Sequence, residues 1–115
     1  GKGGFRTWSD EQLADYVEAG FRDTAEGEVT LTCTPAWEAS NFRTHNYDPL
    51  AAFLAVQCPM TILTAEMGST ARIDPVREQL LATGRVRIET VPGTSHFLPM
   101  EQPELVRETL AAACG

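Results

Sequence analysis

Long apolar runs are missing from this chain. The longest, residues 51–56 and Met60–Ala65, are far too short to span a bilayer. Positive charge is scarce as well: nine Lys and Arg stand against 16 Asp and Glu, for a formal net charge of -7. A surface this acidic repels phosphate backbones and anionic lipid, which argues against nucleic acid and membranes as partners. Cysteine is limited to Cys33, Cys58 and Cys114. An odd count without paired spacing argues against a disulfide framework and points to a reducing cytoplasm. Cys58, just before Pro59 and an apolar run, reads as a small buried hydrophobe. No secretory signal opens the chain. It begins Gly1-Lys2-Gly3-Gly4 without an initiator Met, as an expression remnant, a processed end or a truncated reading frame would. Repeats are absent, and so is low complexity beyond those first four residues.

What is present suits one small domain. The chain has 115 residues, 43% of them apolar, which is enough to bury a core. Ser9 followed by Gln12 reads as a capping box, with Asp10 and Glu11 in the first turn of a helix. Trp8 and Leu13 occupy the two staple positions. Leu13, Tyr16 and Val17 share a face, and Gly20 is expected to end the helix in the left-handed conformation. Residues 28–33 alternate, as a short strand or an extended linker does. Thr34-Pro35 and Asp48-Pro49 each pair an N-cap with proline at the first helical position. The first starts a short helix holding Trp37 and Phe42; the second precedes residues 50–56.

At Cys58-Pro59 the character changes. Met60–Ala65 is a compact apolar strand, followed by a polar turn. Asp74-Pro75 opens a helix through Leu81, with Asp74 as its N-cap and Gly84 as its stop. Val86–Val91 is a second strand, Pro92-Gly93-Thr94-Ser95-His96 a turn, and residues 103–113 a last helix with Leu105, Val106, Thr109 and Leu110 on one face. Strand, helix, strand, helix over about fifty residues reads as a βαβ unit with one further helix, hence a parallel pair. Two parallel strands alone leave two open edges and little apolar surface to bury. The expectation is therefore the end of a larger α/β fold.

His96 lies in the turn that leaves the second strand. Ligands of open α/β sheets bind beyond the carboxyl ends of the strands. Gly93 permits the sharp reversal, and Phe97, Leu98 and Met100 are available to wall a dry pocket. A histidine there can serve as general base and then general acid near neutral pH. The plainer alternative is a hydrogen-bonded turn residue. Other constellations carry less. His45, Glu38 and Asp48 are possible metal ligands, but no site spacing joins them, and exposed helix-end polarity explains them. Trp8, Tyr16, Phe21, Trp37 and Phe42 could line a pocket; at helical spacing such aromatics more often pack.

The run from Cys58 through Val86–Val91 to Gly93-Thr94-Ser95-His96-Phe97 and Met100-Glu101-Gln102-Pro103-Glu104 resembles the C-terminal end of the α/β-hydrolase fold family. In that family the catalytic histidine follows the last strand within G-x-x-H-x-x-x-x-E-x-P, which His96, Glu101 and Pro103 match. The resemblance implies a C-terminal βαβα portion of the hydrolase's parallel sheet, with residues 57–115 as core and residues 1–56 as the end of the helical lid. Glu101 then accepts backbone amides near the next helix start, a structural role.

Three departures qualify the resemblance. No serine here has the G-x-S-x-G context of the nucleophile elbow, and the oxyanion loop is upstream too. Gly93-Thr94-Ser95 only imitates it: the second glycine is absent, and neighbouring side chains usually diverge. Where many relatives place the triad aspartate after Met60–Ala65, this chain has Gly68; Glu66 is near enough to substitute, and otherwise the acid follows the upstream sixth strand. A complete member is also more than twice as long. The resemblance thus implies a fragment of a serine-type hydrolase that acts on an ester or other acyl bond of a small molecule. It contributes His96, and Glu66 as candidate acid, and is inactive alone. It implies no metal or organic cofactor. The alternatives are a member with an aspartate nucleophile (a dehalogenase or epoxide hydrolase) and a non-catalytic α/β module that binds a partner through its sheet edge.

Overall fold

A computed structural model describes residues 3–44 and 47–115. It divides into two compact units, one ending at Tyr47 and one running from Asp48 to Gly115. The predicted boundary between residues 56 and 57 falls nine residues later than the start of the second unit.

In the first unit, helix α1 (Asp10–Gly20) is capped as its sequence demands: the Ser9 hydroxyl accepts the Gln12 amide at 3.1 Å. Trp8 is buried, edge-on to both Phe5 and Tyr16. Gly20 does not end the helix in the left-handed conformation. The chain leaves α1 directly into extended backbone at Phe21 and forms strand β1 (Phe21–Asp23), which the sequence reading does not anticipate. The alternating stretch resolves into strand β2 (Val29–Leu31), which pairs antiparallel with β1. Both strands are exposed along their whole length. Main-chain pairing, with Thr24 accepting the Gly27 amide across the turn, is what holds them. Helix α2 (Pro35–Arg43) starts on Thr34, whose hydroxyl accepts the Trp37 amide at 3.3 Å. Trp37 and Phe42 are exposed.

The second unit starts with helix α3 (Pro49–Ala55). One Asp48 carboxylate oxygen accepts the amides of Leu50 and Ala51, both at 3.1 Å. Strand β3 (Met60–Ala65) runs parallel to strand β4 (Val86–Val91), with Met60 opposite Val86 and Ala65 opposite Val91. A 3-10 turn (Asp74–Val76) leads into helix α4 (Arg77–Ala82), which begins without a side-chain cap. The N-cap role expected of Asp74 is not realised, because Asp74 is itself the first residue of the tighter turn. A one-turn helix α5 (Leu98–Glu101) and helix α6 (Pro103–Cys114) close the chain.

The period-two alternation of a strand sends its residues to opposite faces, and each face of the pair meets helices. On one, Ile62, Ile73 and Leu80 form a buried cluster, joined by Phe53 and Leu54 of α3 and by Val86 and Ile88. On the other, Ala65, Val91 and Leu98 are buried together with Leu63 and with Leu105 and Val106 of α6. The result is helix, sheet, helix: three layers, as parallel strands require. Among the described residues no further strand pairs with β3 or β4, so both outer edges of this sheet are open. Cys58 corrects its reading as a buried hydrophobe. It is exposed, because the loop before β3 lies at the open amino end of the strands, on a hollow shared with Arg87 and Glu108. Among the described residues no helix is long and apolar enough to cross a membrane.

Leu80 is fully buried, whereas Leu110 is 60% exposed although it shares a helix face with Leu105 and Val106. Leu80→Ala is therefore expected to destabilise the chain by about 2–5 kcal/mol and Leu110→Ala by no more than about 0.5 kcal/mol. Denaturant midpoints of the two variants test the assignment; equal losses would contradict this core.

Candidate active site

Parallel pairing brings the carboxyl ends of β3 and β4 to the same side of the sheet. The segment leaving β3 carries Glu66 and Gly68, and the segment leaving β4 carries Gly93 to His96. The turn after β4 is held at several points. Gly93 adopts φ +71°, which glycine enters at no steric cost, and its amide donates to the Glu66 carboxylate at 2.7 Å. Thr94 is buried, and its hydroxyl donates to the Val91 carbonyl at 2.7 Å. The Thr94 carbonyl accepts the Met67 amide at 3.0 Å, tying the two segments together. Ser95 meets Glu101 twice: its amide donates to one carboxylate oxygen at 2.7 Å and its hydroxyl to the other at 2.8 Å.

His96 follows directly on this braced segment. Its side chain is exposed, with its ring 4.0 Å from that of Phe97 between centroids. Among the described residues no hydrogen bond reaches the imidazole. Beside it lies a pocket of about 370 Å³, lined by Leu63, Ala65, Leu98 and Val106 with Ser95 and His96 at its polar edge. Of the three residues expected to wall it, Leu98 does so; Phe97 and Met100 are half-buried and are not among its lining residues.

Glu66 reaches the same end of the sheet as His96, but its carboxylate is engaged with the Gly93 amide, and no hydrogen bond joins it to the imidazole. Gly68 holds φ +61°, a conformation disfavoured for most side chains. The Ser95 hydroxyl donates to the Glu101 carboxylate. Glu101 accepts the Ser95 amide and hydroxyl, a structural role. His45 lies outside the described residues, Asp48 caps α3, and among the described residues no group of three or more His, Cys, Asp or Glu could hold a metal ion. The Glu66–Gly93 bond had no signal in the sequence, since it joins residues 27 apart in the chain.

Breaking the internal bond of the turn has a defined cost. Thr94→Val keeps the shape and removes the donor to the buried Val91 carbonyl; a loss of about 1–2 kcal/mol is expected. A denaturation midpoint equal to that of the unaltered chain would show that the bond contributes nothing.

No family model matches the chain, and no curated protein is similar to it at a significant level. A solved structure is: the crystal structure of E-2-(acetamidomethylene)succinate hydrolase, at 18% identity and a TM-score of 0.77. The match covers 96% of this chain and 41% of that one, so the chain spans less than half the length of the protein it resembles. The chain has the fold of the C-terminal part of an α/β-hydrolase.

Proposed function

We propose that this chain is the C-terminal part of a serine-type α/β-hydrolase acting on an ester or another acyl bond of a small molecule, with His96 as its general base and acid. The observation that carries the reading is the setting of His96: exposed, without a hydrogen bond from the described residues, on a braced turn at the carboxyl end of a parallel strand, and beside a largely apolar pocket. Such a histidine is free to exchange protons with a substrate and a nucleophile. The naming of the similar structure as a hydrolase agrees with this.

In the reaction proposed, an upstream serine hydroxyl attacks the acyl carbon while His96 takes its proton. The imidazolium then gives that proton to the leaving alkoxide or amine as the acyl–heteroatom bond breaks. Water, deprotonated by the same imidazole, attacks the acyl-enzyme; the serine–acyl bond breaks, the imidazolium returns its proton to the serine oxygen, and the acid is released. Backbone amides upstream would form the oxyanion hole. With Glu66 engaged on Gly93, we assign the orienting acid to the upstream sixth strand, the other position the resemblance allows. Residues 1–56 are taken as the end of a helical lid, in keeping with exposed Trp37 and Phe42. Residues 57–115 are taken as core. Three exposed free thiols fit a reducing cytoplasm.

The chain alone should hydrolyse a short activated ester no faster than its His96→Ala variant plus the background of an equal concentration of imidazole. Turnover well above that would overturn the fragment reading. Joined to the upstream part of the sheet, His96→Ala should lower kcat by about 10⁴-fold or more and leave the unfolding midpoint unchanged, because the side chain is exposed. An active, or an unfolded, His96→Ala enzyme would refute the assignment.

A further inference from the structure

We propose that Glu66 is a positioning residue for His96, acting through the Gly93 amide rather than through the imidazole. This rests on the reading of His96 as the proposed base, and it concerns how the turn is aimed.

The geometry supports a brace. Gly93 and Ser95 are alternate residues of one tight turn, and each donates its amide to a carboxylate at 2.7 Å, Glu66 for the first and Glu101 for the second. The two acids come from different elements: one leaves β3, the other ends α5. Between them Thr94 is locked by its own hydroxyl and by the Met67 amide. A hydrogen bond to an ionised acceptor is shorter and stronger than a neutral one, and both bonds have that length. Held on both sides, the backbone directly before His96 has little freedom, so the point from which the His96 side chain leaves the chain is set by the sheet.

Glu66 as a triad acid would have to place its charge against the imidazole. Glu66 as a brace needs only an acceptor oxygen at the Gly93 amide. Glutamine retains that oxygen and loses the charge, so Glu66→Gln and Glu66→Ala separate the two roles. Amide hydrogen exchange at Gly93 and the side-chain NMR signals of His96, measured on the 115-residue chain, are the readouts. In Glu66→Gln, Gly93 exchange should stay within about threefold of the unaltered chain, and His96 should keep a single sharp set of signals. In Glu66→Ala, exchange should rise by about tenfold or more, as loss of the acceptor implies. The His96 signals should then broaden or multiply as the turn samples other conformations. Glutamine and alanine variants that behave alike would overturn the proposal, as would an alanine variant indistinguishable from the unaltered chain. A faster Gly93 with unchanged His96 signals would also overturn it, since the brace would then be structural only. These signals are read without any ester turnover. Failure of the hydrolase reading, seen as an active His96→Ala enzyme, is thus distinct from failure of the brace.

Discussion

Parallel pairing of β3 with β4 is the constraint on which the rest depends. Because the strands run the same way and Ala65 stands opposite Val91, the chain leaves both at one end of the sheet. Two loops separated by a helix and a turn are thereby placed side by side. The Glu66–Gly93 and Met67–Thr94 bonds are possible only in that register. A slip of one residue would also turn every side chain of β3 to the wrong face, moving Ile62 out of the Leu80 cluster and Ala65 away from Leu98. Core packing and site geometry therefore select the same alignment.

The two faces contribute differently. The face toward α3 and α4 carries the most deeply buried residues, Ile73 and Leu80, and also buried Thr64, whose hydroxyl lies 2.9 Å from that of Thr90. That pairing satisfies a polar group that would otherwise be costly beside an apolar layer. The face toward α5 and α6 is more open. On it Arg87 and Glu89 form an ion pair at 3.2 Å, too exposed to add much stability. The pocket beside His96 lies on this second face, so the more deeply buried side of the sheet backs the side that carries the pocket.

Much of this was legible in the sequence where the cause is local. The caps at Ser9, Thr34 and Asp48 are each decided within three residues, and all three form. The βαβ unit was legible from the apolar content of Met60–Ala65 and Val86–Val91, and the His96 turn from Gly93 and the residues around it. Strand β1 was not. Phe21, Arg22 and Asp23 are all exposed, so no burial pattern marks them, and only pairing with Val29–Leu31 makes them a strand. Cys58 misled for the converse reason: an apolar sequence context does not bury a residue at the open end of a sheet. The engagement of Glu66 was invisible because its partner is remote in sequence. Glu101, six residues from Ser95, could be assigned a local structural role.

That difference in separation also orders assembly in time. The Glu101–Ser95 bonds close a loop of six residues, the Glu66–Gly93 bond one of 27. Chain-closure entropy alone makes the longer loop about 1.3 kcal/mol harder to close, and it cannot close before the strands have docked. The helix-side anchor can thus be in place while the sheet is still forming, and the strand-side anchor is set last. The histidine turn reaches its final geometry only as the last consequence of a completed sheet, so a partly folded chain would carry the residue without its aim.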